Sequence, residues 1–194
     1  MKTTLLFPLL FFVMASISSA KEPDLLHYVN TLQGTDSDPG LSYGNTYPTI
    51  GLPFGQHFFS AQTGKNGDGW KYRYATPHIR GFQQVHQCSP WMNDYAVFSL
   101  MPIVGELRVS EDERAGRFSH RNEVGKPHYY RVKFDNGIET EISPTERGAH
   151  MRFRYPKDQP AHLVLDGFIK EASILILPKE RKIIGYVRNG LFIP

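Results

Sequence analysis

The chain has 194 residues, a formal net charge of +3 and one cysteine. Its 22 basic residues are scattered among 19 acidic ones, which excludes the concentrated positive footprint of a nucleic-acid binder. One cysteine excludes an internal disulfide, so the fold rests on an apolar core, which a chain of this length can supply.

The chain opens with Lys2, an apolar run from Leu5 to Ala15, and the small residues Ser18 and Ala20 at the recognition positions of a signal peptidase. The run is too short to span a bilayer comfortably. Export with cleavage after Ala20 is expected, to the periplasm or the medium, which leaves Lys21–Pro194 as one domain. No cysteine follows the cleavage point to carry a lipid, and the competing reading is a retained N-terminal anchor.

Pro23–Leu32 has the pattern for a turn or two of helix, with Asp24 as its cap. From Gly34 to Gly69 the composition is that of long ordered loops, rich in Gly, Pro, Thr, Tyr and Asn. "DSDPG" within it lacks the acidic spacing and the terminal Glu of a calcium loop. The stretch "DYAVFSLMP" reads as a buried strand, entered through the crowded "HQCSPWMN".

The clearest local signal is His128–Ser143. Tyr130, Val132 and Phe134 alternate with Arg131 and Lys133, then Asp135-Asn136-Gly137 turns the chain. Ile138, Thr140 and Ile142 follow, alternating with Glu139 and Glu141, so a hairpin with its basic face opposite its acidic face is predicted. Ala149–Tyr155 alternates in the same way. Ala161–Phe168 and Ala172–Leu177 are continuous apolar runs, which calls for cover on both faces, and Lys182–Ile193 follows a charged turn. Strands of both kinds, with turns every ten residues or so, predict an all-β antiparallel β-sandwich. The apolar ending "GLFIP" suggests that the coding sequence continues.

The chemistry-bearing residues are dispersed. There is no nucleophile elbow, zinc spacing or phosphate loop. His86 and Cys88 share a face of an extended segment, which suits either a Cys–His pair or a half-buried thiol beside a hydrogen-bonded His. Carboxylates for glycoside hydrolysis would come from Asp36, Asp38, Asp68 or Asp94, and spacing singles out no two of them. Trp70 and Trp91 each sit in a polar loop beside a strand. Their rings suit stacking on a sugar face, or plugging an end of the sandwich.

Five pieces in order resemble the N-terminal domain of glycoside hydrolase family 92, the exo-acting α-mannosidases. They are "GTD", "TYPTIGLPFG", the "GFQQVH" segment, "DYAVFSLMP" and "TER" before an alternating strand, spanning about Tyr28 to Phe168. The resemblance implies an exported, calcium-dependent, inverting glycosidase acting on mannose-containing glycans. It also implies a β-sandwich packed against a larger C-terminal helical toroid, which this sequence does not include. The toroid would supply the acid, the base and most calcium ligands, and the sandwich would lend loops to the sugar pocket. Trp70, His86, Trp91 and Asp94, then Asp36 and Asp68, are the residues expected to stack on or hydrogen-bond the substrate, with no catalytic or metal-binding residue expected on the sandwich. Many members carry H-x-S-G-T-G where this chain has His86-Gln87-Cys88-Ser89-Pro90-Trp91, so its pocket shape departs from that pattern. The alternative is an exported carbohydrate-binding sandwich that acts alone, without catalysis.

Overall fold

The computed structural model describes residues 24–41, 46–65, 72–85, 96–167 and 171–187. The secondary structure there is almost all strand: β1 (Phe58–Gln62), β2 (His78–Ile79), β3 (Gly81–Val85), β4 (Ala96–Val104), β5 (Gly116–Lys126), β6 (Tyr129–Phe134), β7 (Glu139–Pro144), β8 (Ala149–Arg154), β9 (Ala161–Asp166), β10 (Ala172–Leu177) and β11 (Lys182–Val187). They form a four-stranded sheet ordered β1-β3-β4-β9, a five-stranded sheet ordered β2-β5-β6-β7-β8, and a separate β10–β11 hairpin. Every pairing is antiparallel. The all-β antiparallel expectation is met.

One core joins the two larger sheets. Phe82 of β3 stands edge-on to Tyr130 of β6 at 6.2 Å and to Phe134 at 6.3 Å, and all three rings are buried. These T-shaped contacts match the quadrupoles of the rings. Val132, Ile138 and Ile142 complete the five-stranded side, and Ile79, Met101 and Ile103 belong to the same cluster. β2 and β3 are one run of chain that changes sheets at Arg80. There the Arg80 guanidinium bonds the Thr63 carbonyl and pairs with Asp112 at 3.3 Å.

The hairpin expected around Asn136-Gly137 forms as β6–β7. Gly137 takes φ +88, a left-handed conformation that glycine adopts without cost, and Asn136 Oδ1 accepts the Ile138 N–H at 3.1 Å. Arg131 lies opposite Glu141 and Lys133 opposite Glu139, as expected. The ion pairs nevertheless run to the other neighbour, Glu141 to Arg152 at 2.6 Å and Glu139 to Arg154, because β8 places those arginines directly across. Arg152 above all, with the Tyr129 hydroxyl, pulls the Glu141 carboxyl from its ordinary 4.5 down to about 2. A carboxylate held below its unfolded pKa stabilises the fold above that value, and loses this as pH falls through the folded one. Stability is therefore expected to drop between pH 4.5 and about 2. Arg152→Met should flatten that stretch of a urea-midpoint-against-pH curve, and an unchanged curve would refute the pairing.

Asp24 caps the short 3-10 turn Leu25–Tyr28 by accepting the Leu26 N–H at 3.2 Å. Two expectations are corrected. Gly34–Gly69 is not loop throughout, since it contains β1. β10 is not covered on both faces: Ala172–Ile176 are all exposed.

Phe54 is a local outlier. Gly55 N–H bonds the Leu52 carbonyl at 2.9 Å, which makes Leu52–Gly55 a turn, and Phe54 stands in it with φ 63. Phe54 is fully exposed, so no packing offsets the left-handed backbone. Phe54→Gly should raise the unfolding free energy by up to about 1 kcal/mol in urea titration. A loss of stability would mean that the ring has a partner.

Candidate functional site

Of the six residues expected at a sugar pocket, only Asp36 lies within the described residues; Trp70, His86, Trp91, Asp94 and Asp68 lie outside them, as does Cys88. The strands that flank those segments are described, and they define where each departs.

Segment 86–95 connects β3 to β4. Val85 pairs with Phe58 on one side and Ala96 on the other, so the segment leaves and returns at that end of the four-stranded sheet. Segment 66–71 leaves from the other end, beyond Gln62, which pairs with Gly81. Its base is closed by the Arg73 N–H donating to Thr63 Oγ1 at 2.7 Å. Four residue steps along β1, from Phe58 to Gln62, separate the two ends, about 13 Å at strand rise.

The Gly34-Thr35-Asp36 turn is fastened beside the second of these bases. Thr35 is buried, its hydroxyl donates to the Leu32 carbonyl at 2.7 Å, and its own carbonyl accepts the Tyr74 N–H at 3.0 Å. Gly34 has φ +84, and a Cβ there would lie 3.0 Å from Thr46 Oγ1. Asp36 follows, exposed. The Asp36 turn is thus tied to Tyr74, while Val85 and Ala96, the residues that bound segment 86–95, lie at the opposite end of β1 from Gln62. Asp38 has a local role: its Oδ1 accepts the Leu41 N–H at 3.2 Å. Among the described residues no three His, Cys, Asp or Glu side chains are gathered as a metal site.

Sequence reading missed the most connected polar cluster. Glu123 on β5 has a side chain with no exposure. Its carboxylate accepts from the Tyr130 hydroxyl at 2.5 Å, from the Tyr72 hydroxyl at 2.9 Å to both oxygens, and contacts His120 Nδ1 at 2.6 Å. His120 Nε2 lies 2.7 Å from the Tyr74 carbonyl, and since a carbonyl only accepts, this nitrogen donates. The imidazole stacks on the Tyr74 ring at 3.7 Å. Burial first, then the Glu123 charge, pushes the Tyr72 and Tyr130 hydroxyls far above their usual range, which keeps both as donors. Residues 120 and 123 would face opposite ways on a regular strand. The register shift between Phe118 and Glu123 turns both to one side. No sequence pattern announces such a bulge.

A carboxylate this enclosed cannot reach a substrate. Its effect is positional: it fixes Tyr72 and, through His120, the Tyr74 backbone, where segment 66–71 re-enters the fold and the Asp36 turn is tied.

A second polar set crosses the four-stranded sheet in one row, with Ser60, Gln83 and Ser99 buried and Asp166 half-buried. Arg114 closes its end, pairing with Asp166 at 2.7 Å and donating to the Arg80 carbonyl at 3.0 Å. Ser99 donates to Gln62, and Gln62 to Glu111, so the row is linked to residues 109–114.

The family profile described as "Glycosyl hydrolase family 92 N-terminal domain" matches residues 28–193. Among solved structures, the chain is similar to a family GH92 inverting mannosidase of Bacteroides thetaiotaomicron, with 43% identity and a TM-score of 0.81 over 88% of this chain and 23% of that one. A family GH92 α-mannosidase of the same organism is 29% identical, with a TM-score of 0.66, over 75% of this chain and 20% of that one. A curated protein of Arthroderma benhamiae described as an uncharacterized secreted glycosidase is 24% identical over 154 residues, 74% of this chain and 19% of that protein. The chain therefore spans about a fifth to a quarter of the length of these relatives.

Proposed function

The chain belongs to glycosyl hydrolase family 92, and from that premise we propose that Lys21–Pro194 is the N-terminal β-sandwich of an exported, calcium-dependent, inverting exo-α-mannosidase. The observation that carries this reading is the 43% identity to an inverting mannosidase over 88% of the chain. Export is supported by the Lys2, Leu5–Ala15 and Ser18/Ala20 pattern, and a relative described as secreted agrees with it.

In this reading the acid and the base belong to a larger C-terminal domain. The acid protonates the leaving glycosidic oxygen, and the base activates a water on the opposite face of the sugar, which inverts the anomeric carbon. The calcium ligands are assigned to that domain too, as the family resemblance implies. The sandwich contributes stacking and hydroxyl binding through Trp70, His86, Trp91 and Asp94, with Asp36 and Asp68. The Glu123 cluster and the Thr35–Tyr74 bond hold the base from which part of that set extends.

The test is mannose release from α-1,2-mannobiose with added calcium, beside mannose binding to the chain by calorimetry. No turnover by Lys21–Pro194 alone, with turnover when the larger domain is supplied, is the expected result. Chelator-sensitive turnover by the sandwich alone would overturn this division of labour. Binding without turnover in either case would favour a stand-alone carbohydrate-binding sandwich.

A further inference from the structure

The turn at Phe54 stands where several connections of the sandwich meet. Ile50 and Phe59 exchange both backbone hydrogen bonds at 2.9 Å, so residues 51–57 form a loop beyond the start of β1. Phe58 opens that strand and pairs with Val85, and Val85 pairs with Ala96. The loop therefore lies at the end of the four-stranded sheet from which segment 86–95 departs. Two turns of the five-stranded sheet hold it there. The Pro127 carbonyl, between β5 and β6, accepts the Gly51 N–H at 2.8 Å, and the Glu146 carbonyl, between β7 and β8, accepts the Gln56 N–H at 2.9 Å. Within this fixed loop, Leu52–Gly55 has proline second and a positive φ third. That is the pattern of a type II turn, whose third residue is normally glycine or asparagine. Phenylalanine stands there instead, at φ 63, with its ring fully exposed. Backbone strain that no packing offsets points to a residue kept for what it binds.

The surroundings select the kind of ligand. Apart from Pro53 and Phe54, the exposed residues of the two joined turns are polar: Gln56, Glu146 and Arg147. A protein docking surface needs a contiguous apolar patch. One ring among polar tips matches a pyranose, whose C–H face stacks while its hydroxyls exchange hydrogen bonds. We propose that Phe54 is the stacking platform of a sugar-binding site at this end of the sandwich, with Gln56, Glu146 and Arg147 as its hydroxyl partners. The identity of the sugar, a mannose residue of the glycan, rests on the functional reading above.

The test titrates α-1,2-mannobiose, with cellobiose beside it, into the 194-residue chain and into Phe54→Ala, Phe54→Tyr and Phe54→Gly. The sugar C–H resonances are followed by proton NMR. With the unsubstituted chain, mannobiose resonances displaced upfield by the ring current are expected. Affinity should fall at least about tenfold in Phe54→Ala and stay within about threefold in Phe54→Tyr. Phe54→Gly should lose the sugar while its urea midpoint rises, a divergence that a purely structural role would not produce. Unchanged affinity in Phe54→Ala, or no binding of either sugar by the unsubstituted chain, would overturn the proposal. So would self-association that Phe54→Ala abolishes and sugar leaves untouched. Binding of cellobiose but not of mannobiose, lost in Phe54→Ala, supports the platform and defeats the mannosidase reading.

Discussion

Glu123→Ala is expected to cost about 3–5 kcal/mol of unfolding free energy, because it strands partners that were buried around a charge. For a domain of this size that corresponds to roughly 10 °C in Tm, readable by thermal denaturation. Tyr72 and Tyr130 would each keep a buried hydroxyl without its acceptor, and His120 would lose the group at 2.6 Å from Nδ1. Glu123→Leu keeps bulk but restores no acceptor, so it should fare little better. Glu123→Gln keeps an oxygen for the hydroxyls and should lose clearly less. A loss below about 1 kcal/mol for Glu123→Ala would show that the cluster is neutral to the fold.

Phe82→Ala should be as damaging, about 3–5 kcal/mol, through lost burial and the cavity left between the sheets. Phe82 is fully buried and meets a ring on each of two positions of β6. Denaturant unfolding gives the number, with Phe82→Leu as the milder control. The two sites share Tyr130, which touches Phe82 through its ring and Glu123 through its hydroxyl. The double variant Phe82→Ala with Glu123→Ala should therefore fall short of the sum of the single losses. Strict additivity would mean that Tyr130 does not couple the core to the polar cluster.

These two positions also mark what could be read without a structure. Alternation around a turn gave the β6–β7 hairpin and a continuous apolar run the start and end of β10, because side-chain pattern and turn chemistry are local properties. The long strand β5 was not legible. Its "RNEV" stretch breaks the period where the bulge lies, so the strand signal and the Glu123 cluster disappeared together. β1 was hidden among Gly- and Pro-rich neighbours, and its five residues owe their strand to pairing with β3. The apolar run of β10 read as buried, yet Ala172–Ile176 are exposed, because a continuous apolar run states a tendency and not which partner covers it.

The sequence by itself determined the all-β class, the export pattern, the hairpin register and the family resemblance, since each is written in neighbouring residues. Only the tertiary structure decided that Asp36 is tied beside the base of segment 66–71 while segment 86–95 departs from the opposite end of β1. Only it brought Tyr72, His120, Glu123 and Tyr130 to one point. The reason is physical: sheet pairing and a bulge join residues far apart along the chain, and no local propensity encodes a partner's address.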